Sequence, residues 1–434
     1  MINLTNALFV LFASILVFSM TPGLAFFYGG LVSAKNVVNT MISIFSICGI
    51  GILLFIGCGY GLCFSGNHLG IIGNFHHFFL AGVNLMKPFG VTHIPLGVYL
   101  IFQLMFALVT PALFVGATVG RMKFNYFITF VCVWTLVVYY PLVHIVWSPA
   151  GLLAQHGLLD FAGGTVVHIN AGITALVLSI LLGKRSRPSK NDDHYNLPWI
   201  LLGTTFLWIG WYGFNAGSAL GINHVALQAF MTTTIATASA MVSWMIFETL
   251  HGNHPDMVGI CTGALCGLVG ITPAAGYVTD IGATWIGILC TFVSFTYITF
   301  IKPHLKYDDP LDAFGCHGVS GIIGSILVGI FATQKVNPSI HENGLLYGGG
   351  WHLLGIQFGG TLFTIIFVAI MTWGCAKLIA LIIPMRVSKQ AEDMGLDQSE
   401  HGESVDYTVQ NIRDLELYRN EFKGQLSHLY HDRK

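Results

Sequence analysis

At 434 residues, with 54% hydrophobic side chains, only 9% charged and a mean hydropathy of +0.71, the chain carries too little charge to cover a soluble surface and reads as an all-α integral membrane protein almost throughout. A formal net charge of −1 and the lack of clustered Lys and Arg exclude a phosphate-binding surface, so no nucleic acid is expected as a partner. The nine cysteines lie scattered in apolar runs without a CxxC pair, which argues against a disulfide framework, a zinc site or any other metal, and no cofactor is implied.

The first apolar run, 6–30, is too long for the hydrophobic region of a signal peptide and reads as a retained span. Further runs at 38–63, 94–119, 124–146, 161–182, 197–216, 225–247, 257–275, 281–301, 313–332 and 350–383 bring the expected number of transmembrane helices to eleven. An odd number puts the termini on opposite sides. One set of loops holds nine Lys and Arg, among them Lys35, Arg121, Arg185 and Lys302, whereas the other holds only Lys87 and Lys335, which predicts N-out and C-in. Residues 1–384 then form the membrane domain and 385–434 a cytoplasmic tail. In that tail Ile412, Leu415, Tyr418, Phe422, Leu426 and Leu429 recur every three or four residues, the pattern of an amphipathic helix lying on the cytoplasmic face.

The chemistry concentrates in Asp160-Phe-Ala-Gly-Gly-Thr-Val-Val-His168, where an acid opens an apolar run and a histidine follows about 12 Å further along a helix. The Asp160 carboxylate sits where it can accept from the unbonded N–H groups of the first turn and from Thr165, an arrangement expected to depress its pKa and make it a poor base. Asp312-Ala-Phe-Gly-Cys-His317 repeats the theme. Both stretches admit a bland reading as helix caps with locally satisfied histidines, but an ionisable group inside a membrane segment is costly enough that function is the first hypothesis. His168 and His317 fall on the fifth and tenth helices, which cross in opposite senses. Helices 1–5 and 6–10 are therefore expected to form an inverted repeat that brings the two histidines together, close enough to bond to each other, with helix 11 outside the symmetry.

Phe102, Phe106, Trp147, Trp211 and Phe214 gather toward the N-out ends of helices 3, 4 and 6, with Ser218 just beyond. They read either as an interfacial aromatic belt or as π-faces and a hydroxyl that hold a small cation. An HxxH pair, His251 and His254, raises the possibility of a membrane metalloenzyme, but such enzymes need several histidine boxes and the chain has none besides. The same pattern of spans would also suit a sensor that signals through the tail, or a carrier of a different small gas or amine.

Pro22-Gly-Leu-Ala-Phe-Phe-Tyr-Gly-Gly30, the Asp160–Gly172 stretch, Trp211-Tyr-Gly-Phe-Asn-Ala-Gly-Ser218, Gly267-Leu-Val-Gly-Ile-Thr-Pro273, Asp308-Asp-Pro-Leu-Asp-Ala-Phe-Gly-Cys-His-Gly318 and Gly395-Leu-Asp-Gln-Ser-Glu-His-Gly402 occur in one order across most of the chain. Together they resemble the ammonium transporter family (Amt/Mep/Rh), and its bacterial Amt branch in particular. The resemblance implies an eleven-helix protomer in a homotrimer in the bacterial cytoplasmic membrane, each protomer with its own narrow pore for ammonium or ammonia, with methylammonium as an analogue. On matching positions it assigns Phe106, Trp147 and Ser218 to external recruitment, with Phe102 beside them. Phe106 and Phe214 become the stacked gate, with Trp211 adjoining; His168 and His317 the twin pore histidines, able to bond to ammonia or relay a proton; and Asp160 the buried acid. Asp312 is expected to act structurally and electrostatically. It also implies a cytoplasmic PII-class signal protein as partner and a tail running along the neighbouring protomer. Gly120-Arg121-Met122-Lys123, lacking the family's usual acid before the Arg, and the extension over 405–434 depart from the pattern.

Overall fold

The computed structural model describes residues 1–186 and 194–405. The proposed amphipathic helix of the tail lies outside them. Among the described residues ten helices are long and apolar enough to cross a bilayer: α1 Leu4–Leu31, α2 Ala34–Phe64, α3 Leu96–Ala117, α4 Phe124–Gln155, α5 Gly164–Leu182, α6 Leu197–Gly217, α7 His224–Leu250, α9 Asp280–His304, α10 Phe314–Phe331 and α11 His352–Ala380. Between α7 and α9 runs a shorter apolar helix, α8 Met257–Ile271. The expected run of 257–275 ends early because Pro273, which has no N–H and fixes its own φ, starts a turn in which Ala274 N bonds to Ile271 O. Outside the helices, a two-residue antiparallel ladder of β1 Pro88–Phe89 and β2 Ile94–Pro95 braces the α2–α3 connection.

Packing pairs helices that are five apart. α1 lies along α6 more extensively than any other two helices touch, and the start of α10 crosses α5. At that crossing the two backbones nearly meet. A Cβ placed on Gly172 would stand 2.3 Å from the Cα of Gly318, so glycine is required there. Both helices begin with a widened π-turn, Gly164–Ile169 and Phe314–Val319, each holding its histidine. A second such pair occupies α4 at Thr135–Tyr139 and α9 at Tyr297–Ile301. π-turns cluster at functional positions because the extra residue swings side chains out of helical register.

The described part of the tail folds back on this chain. Lys123 N donates to Met385 O and Val387 N to Arg121 O, after which α12, Lys389–Met394, leads to Asp397. The Asp397 carboxylate accepts from Asn39 N at 2.7 Å and that of Glu400 from Phe124 N at 2.9 Å, capping α2 and α4.

Candidate functional site

Asp160 holds the start of α5 through five bonds. Oδ1 accepts from Gly163 N at 2.9 Å and Gly164 N at 2.6 Å; Oδ2 accepts from Thr165 N, Val166 N and the Thr165 hydroxyl. Its own carbonyl receives Trp147 Nε1–H at 3.1 Å, which fixes the indole. Burial lifts the Asp160 carboxyl above the ordinary value, with the bonds from Thr165, Val166 and Gly163 pulling the other way. The expected depression is therefore not found, because desolvation at a fully buried site outweighs the caps.

The equivalent acid in the second half is not the one the motif suggested. Asp309 stands eight residues before His317, as Asp160 stands eight before His168, and its Oδ2 accepts from Phe314 N at 2.8 Å at the start of α10. Burial pushes its carboxyl up to about 6, with Lys302 opposing and Asp312 adding. Asp312 takes a left-handed φ of 54° and pairs with Lys302.

A continuous series of ring contacts runs from Phe102 to His317. Phe102 meets Phe106 edge-on at 5.0 Å, Phe106 meets Trp147 edge-on at 5.5 Å, and Phe106 and Phe214 lie 4.3 Å apart. Phe214 adjoins His168 at 5.9 Å and Trp211 at 5.5 Å. Trp211 is held by Nε1–H to Thr272 Oγ1 at 2.8 Å and stacks on His168 at 5.2 Å. The two histidines then face each other, nearly parallel, at 5.5 Å. No hydrogen bond joins them: both ring nitrogens of His168 and Nδ1 of His317 are buried without a protein partner. The expected mutual bonding of the imidazoles is not what this stacked geometry provides.

Ser218, partly exposed, donates its hydroxyl hydrogen to Phe214 O at 2.8 Å, which leaves the oxygen's lone pairs to accept from a cation's N–H. On the far side of His317 a cavity of about 80 Å³ is lined by Tyr28, Thr262, Leu311 and Asp312. The aromatic residues and histidines singled out in the sequence thus lie next to one another, while Asp309, eight residues before His317 as Asp160 is before His168, was missed. Eight-residue spacing to the histidine was the available signal. His251 and His254 join no metal-binding group, and none of three or more His, Cys, Asp or Glu occurs among the described residues.

A helical membrane protein with a ring-lined path ending in two unbonded histidines defines a small-molecule transport protein. The family model for the Ammonium Transporter Family matches residues 8–406, and the chain belongs to that family. It is 44% identical to the ammonium transporter of Aquifex aeolicus over 92% of this chain and 93% of that one, and 41% identical to the ammonium transporter of Bacillus subtilis over 92% and 98%. Among solved structures it resembles Candida albicans Mep2 with a TM-score of 0.84 at 32% identity, covering 90% of this chain and 87% of that one. A structure described as a sensor Amt protein matches with a TM-score of 0.83 at 30% identity, over 92% and 98%. The relatives are transporters, and the chain is a multi-pass transport protein rather than an enzyme.

Proposed function

We propose that the chain is an eleven-span, N-out and C-in protomer of a homotrimer in the bacterial cytoplasmic membrane, built from an inverted repeat of α1–α5 and α6–α10 plus α11, and that each protomer moves ammonium through its own pore. The observation that carries this reading is the pair of stacked histidines whose buried nitrogens face no protein partner, directly beyond the Phe106 and Phe214 rings. Buried ionisable side chains without a protein partner are costly in a membrane interior, which makes a solute that pairs with them the first reading.

Outside, the faces of Phe102, Phe106 and Trp147 attract the cation and the Ser218 oxygen accepts one of its N–H bonds. Ammonium cannot keep its charge past the rings. Its pKa lies between those of an α-amino group and a lysine, so releasing the proton at neutral pH costs about 3 kcal/mol. A charge held at midmembrane costs roughly 2.5 kcal/mol at the least and up to several times that. Release of the proton to water on the outer side of the gate of Phe106 and Phe214, with Trp211 behind it, is therefore competitive, and neutral ammonia then bonds in turn to His168 and His317. Potassium has no proton to release and meets no ring of oxygens to replace its water. Asp160 holds the outer turn of α5, and Asp312, paired with Lys302, holds the inner approach. A PII-class protein is proposed to meet the tail.

Uptake of labelled methylammonium by cells or vesicles with and without the protein tests the reading. Saturable uptake that ammonium competes away is expected, and equal uptake with and without the protein removes it.

A further inference from the structure

Beyond His317 the 80 Å³ cavity shares Leu31, His194 and Asp312 with one of about 420 Å³ at the tail end. Carboxylates line the larger cavity, and most are matched by cations. Asp308 pairs with Arg185 at 2.8 Å, Asp312 with Lys302, Glu392 with Arg386 at 2.8 Å, and Asp309 sits in the field of Lys302.

Glu248 on α7 differs. It is only 8% exposed and lines this cavity. Oε1 accepts Trp244 Nε1–H at 2.8 Å and the Asp256 backbone N–H adds a favourable contact to the carboxylate, whereas Oε2 has no partner of full hydrogen-bonding geometry. Among the described residues the charge acting on it is a second carboxylate, Asp256, which also lines the cavity and caps α8 by accepting from Gly259 N at 2.7 Å. Room for the acid is built into α8. A Cβ on Gly259 would stand 1.9 Å from Glu248 Oε1 and 2.6 Å from Trp244 Nε1, so no other residue leaves the pair in place. A buried carboxylate whose charged neighbour is another carboxylate is stable as an anion only with a mobile cation.

We propose that Glu248 and Asp256 form a cation subsite in the cytoplasmic vestibule, which takes an ammonium ion or a potassium ion at the free Oε2 of Glu248. This rests on the ammonium-transport reading. Ammonium offers four N–H donors and no acceptor, which suits an oxygen lacking any donor. The histidine pair excludes potassium from the pore, but a carboxylate site does not tell the two ions apart, since it acts by charge alone. Cytosolic potassium therefore competes with ammonium at the exit without crossing.

The conservative variants keep the local structure. Glu248→Gln retains an amide oxygen for Trp244, and Asp256→Asn retains a helix cap. Full-length protein in vesicles, with methylammonium and potassium varied separately on each face, gives the measurement. In the wild type, potassium on the tail face is expected to raise the half-saturation for methylammonium from that face. Glu248→Gln should raise it roughly tenfold, as for one charge-assisted bond, and abolish the potassium effect while leaving the opposite face within about twofold. An unchanged tail-face value, or equal shifts on both faces, overturns the subsite. Equilibrium binding of labelled rubidium to the purified protein separates this from the transport reading. Binding that Glu248→Gln removes supports the subsite even where no methylammonium moves, and equal binding by both proteins overturns it.

Discussion

The His168 ring lies nearly parallel to those of Trp211 and His317, with Phe214 beside it, so on the proposed reading whatever replaces it meets the solute at close range. His168→Asp puts a carboxylate in place of one of the two imidazoles, and a fixed negative charge there stabilises any small cation whether or not it can lose a proton. The expected outcome is leaky cation passage with potassium competing, whereas His168→Ala lowers flux without admitting potassium. Currents on reconstituted protein with each ion alone decide it; exclusion of potassium by the Asp variant would move selectivity outward to Phe106 and Phe214. At the outer end, Trp147→Leu with Ser218→Ala removes a π-face and an accepting oxygen, each worth roughly 0.5–2 kcal/mol. Half-saturation for ammonium should rise about tenfold or more, and an unchanged value would remove these residues from recruitment.

At the scale of the element, the start of α5 depends on one side chain. Asp160→Asn keeps one acceptor oxygen for Gly163 and Gly164 but turns an amide NH2 toward Thr165 and Val166, so part of the cap survives and some transport is expected to remain. Asp160→Ala strips all five bonds from buried donors and should cost about 3–5 kcal/mol, seen as a lowered unfolding temperature and loss of transport together. An Asn variant that assembles and is wholly inactive would show that the charge itself is needed. How far such elements can be read from the chain varies. Asp160, His168 and His317 were legible because ionisable residues stand out in apolar runs. Asp309 was not, because Asp308, Asp309 and Asp312 crowd one segment and only the backbone decides which one reaches Phe314 N. Nothing in the sequence marks Glu248 near the end of α7, since Trp244 and Gly259, which pack against it, form no telling polar pattern. The π-turns have no sequence signature at all, although they aim both histidines.

For the whole molecule, the tail ties the ends of helices that lie hundreds of residues away. Asp397 and Glu400 cap α2 and α4, Lys35 Nζ donates to the carbonyls of Glu392 and Asp393, and Arg386 bonds the Leu182 and Lys184 carbonyls. Sequence could not disclose these partners, because a carboxylate in a tail carries no mark of the helix end it will find. Each cap is worth about 1 kcal/mol, so Asp397→Ala with Glu400→Ala should undock the tail by roughly 2 kcal/mol. Faster tryptic cleavage after Lys389 in native protein is the expected sign; an unchanged rate means that the tail is held elsewhere.

The parallel stacking of the two imidazoles has a consequence for energy conservation in the cell. On the proposed reading, rings 5.5 Å apart without a shared hydrogen bond pass no proton between them until a solute molecule bridges their nitrogens. The membrane's proton-motive force is then not short-circuited by an idle transporter. In vesicles free of ammonium and amines, an imposed pH gradient should decay no faster with the protein than without it; a faster decay would mean that the pair relays protons unaided.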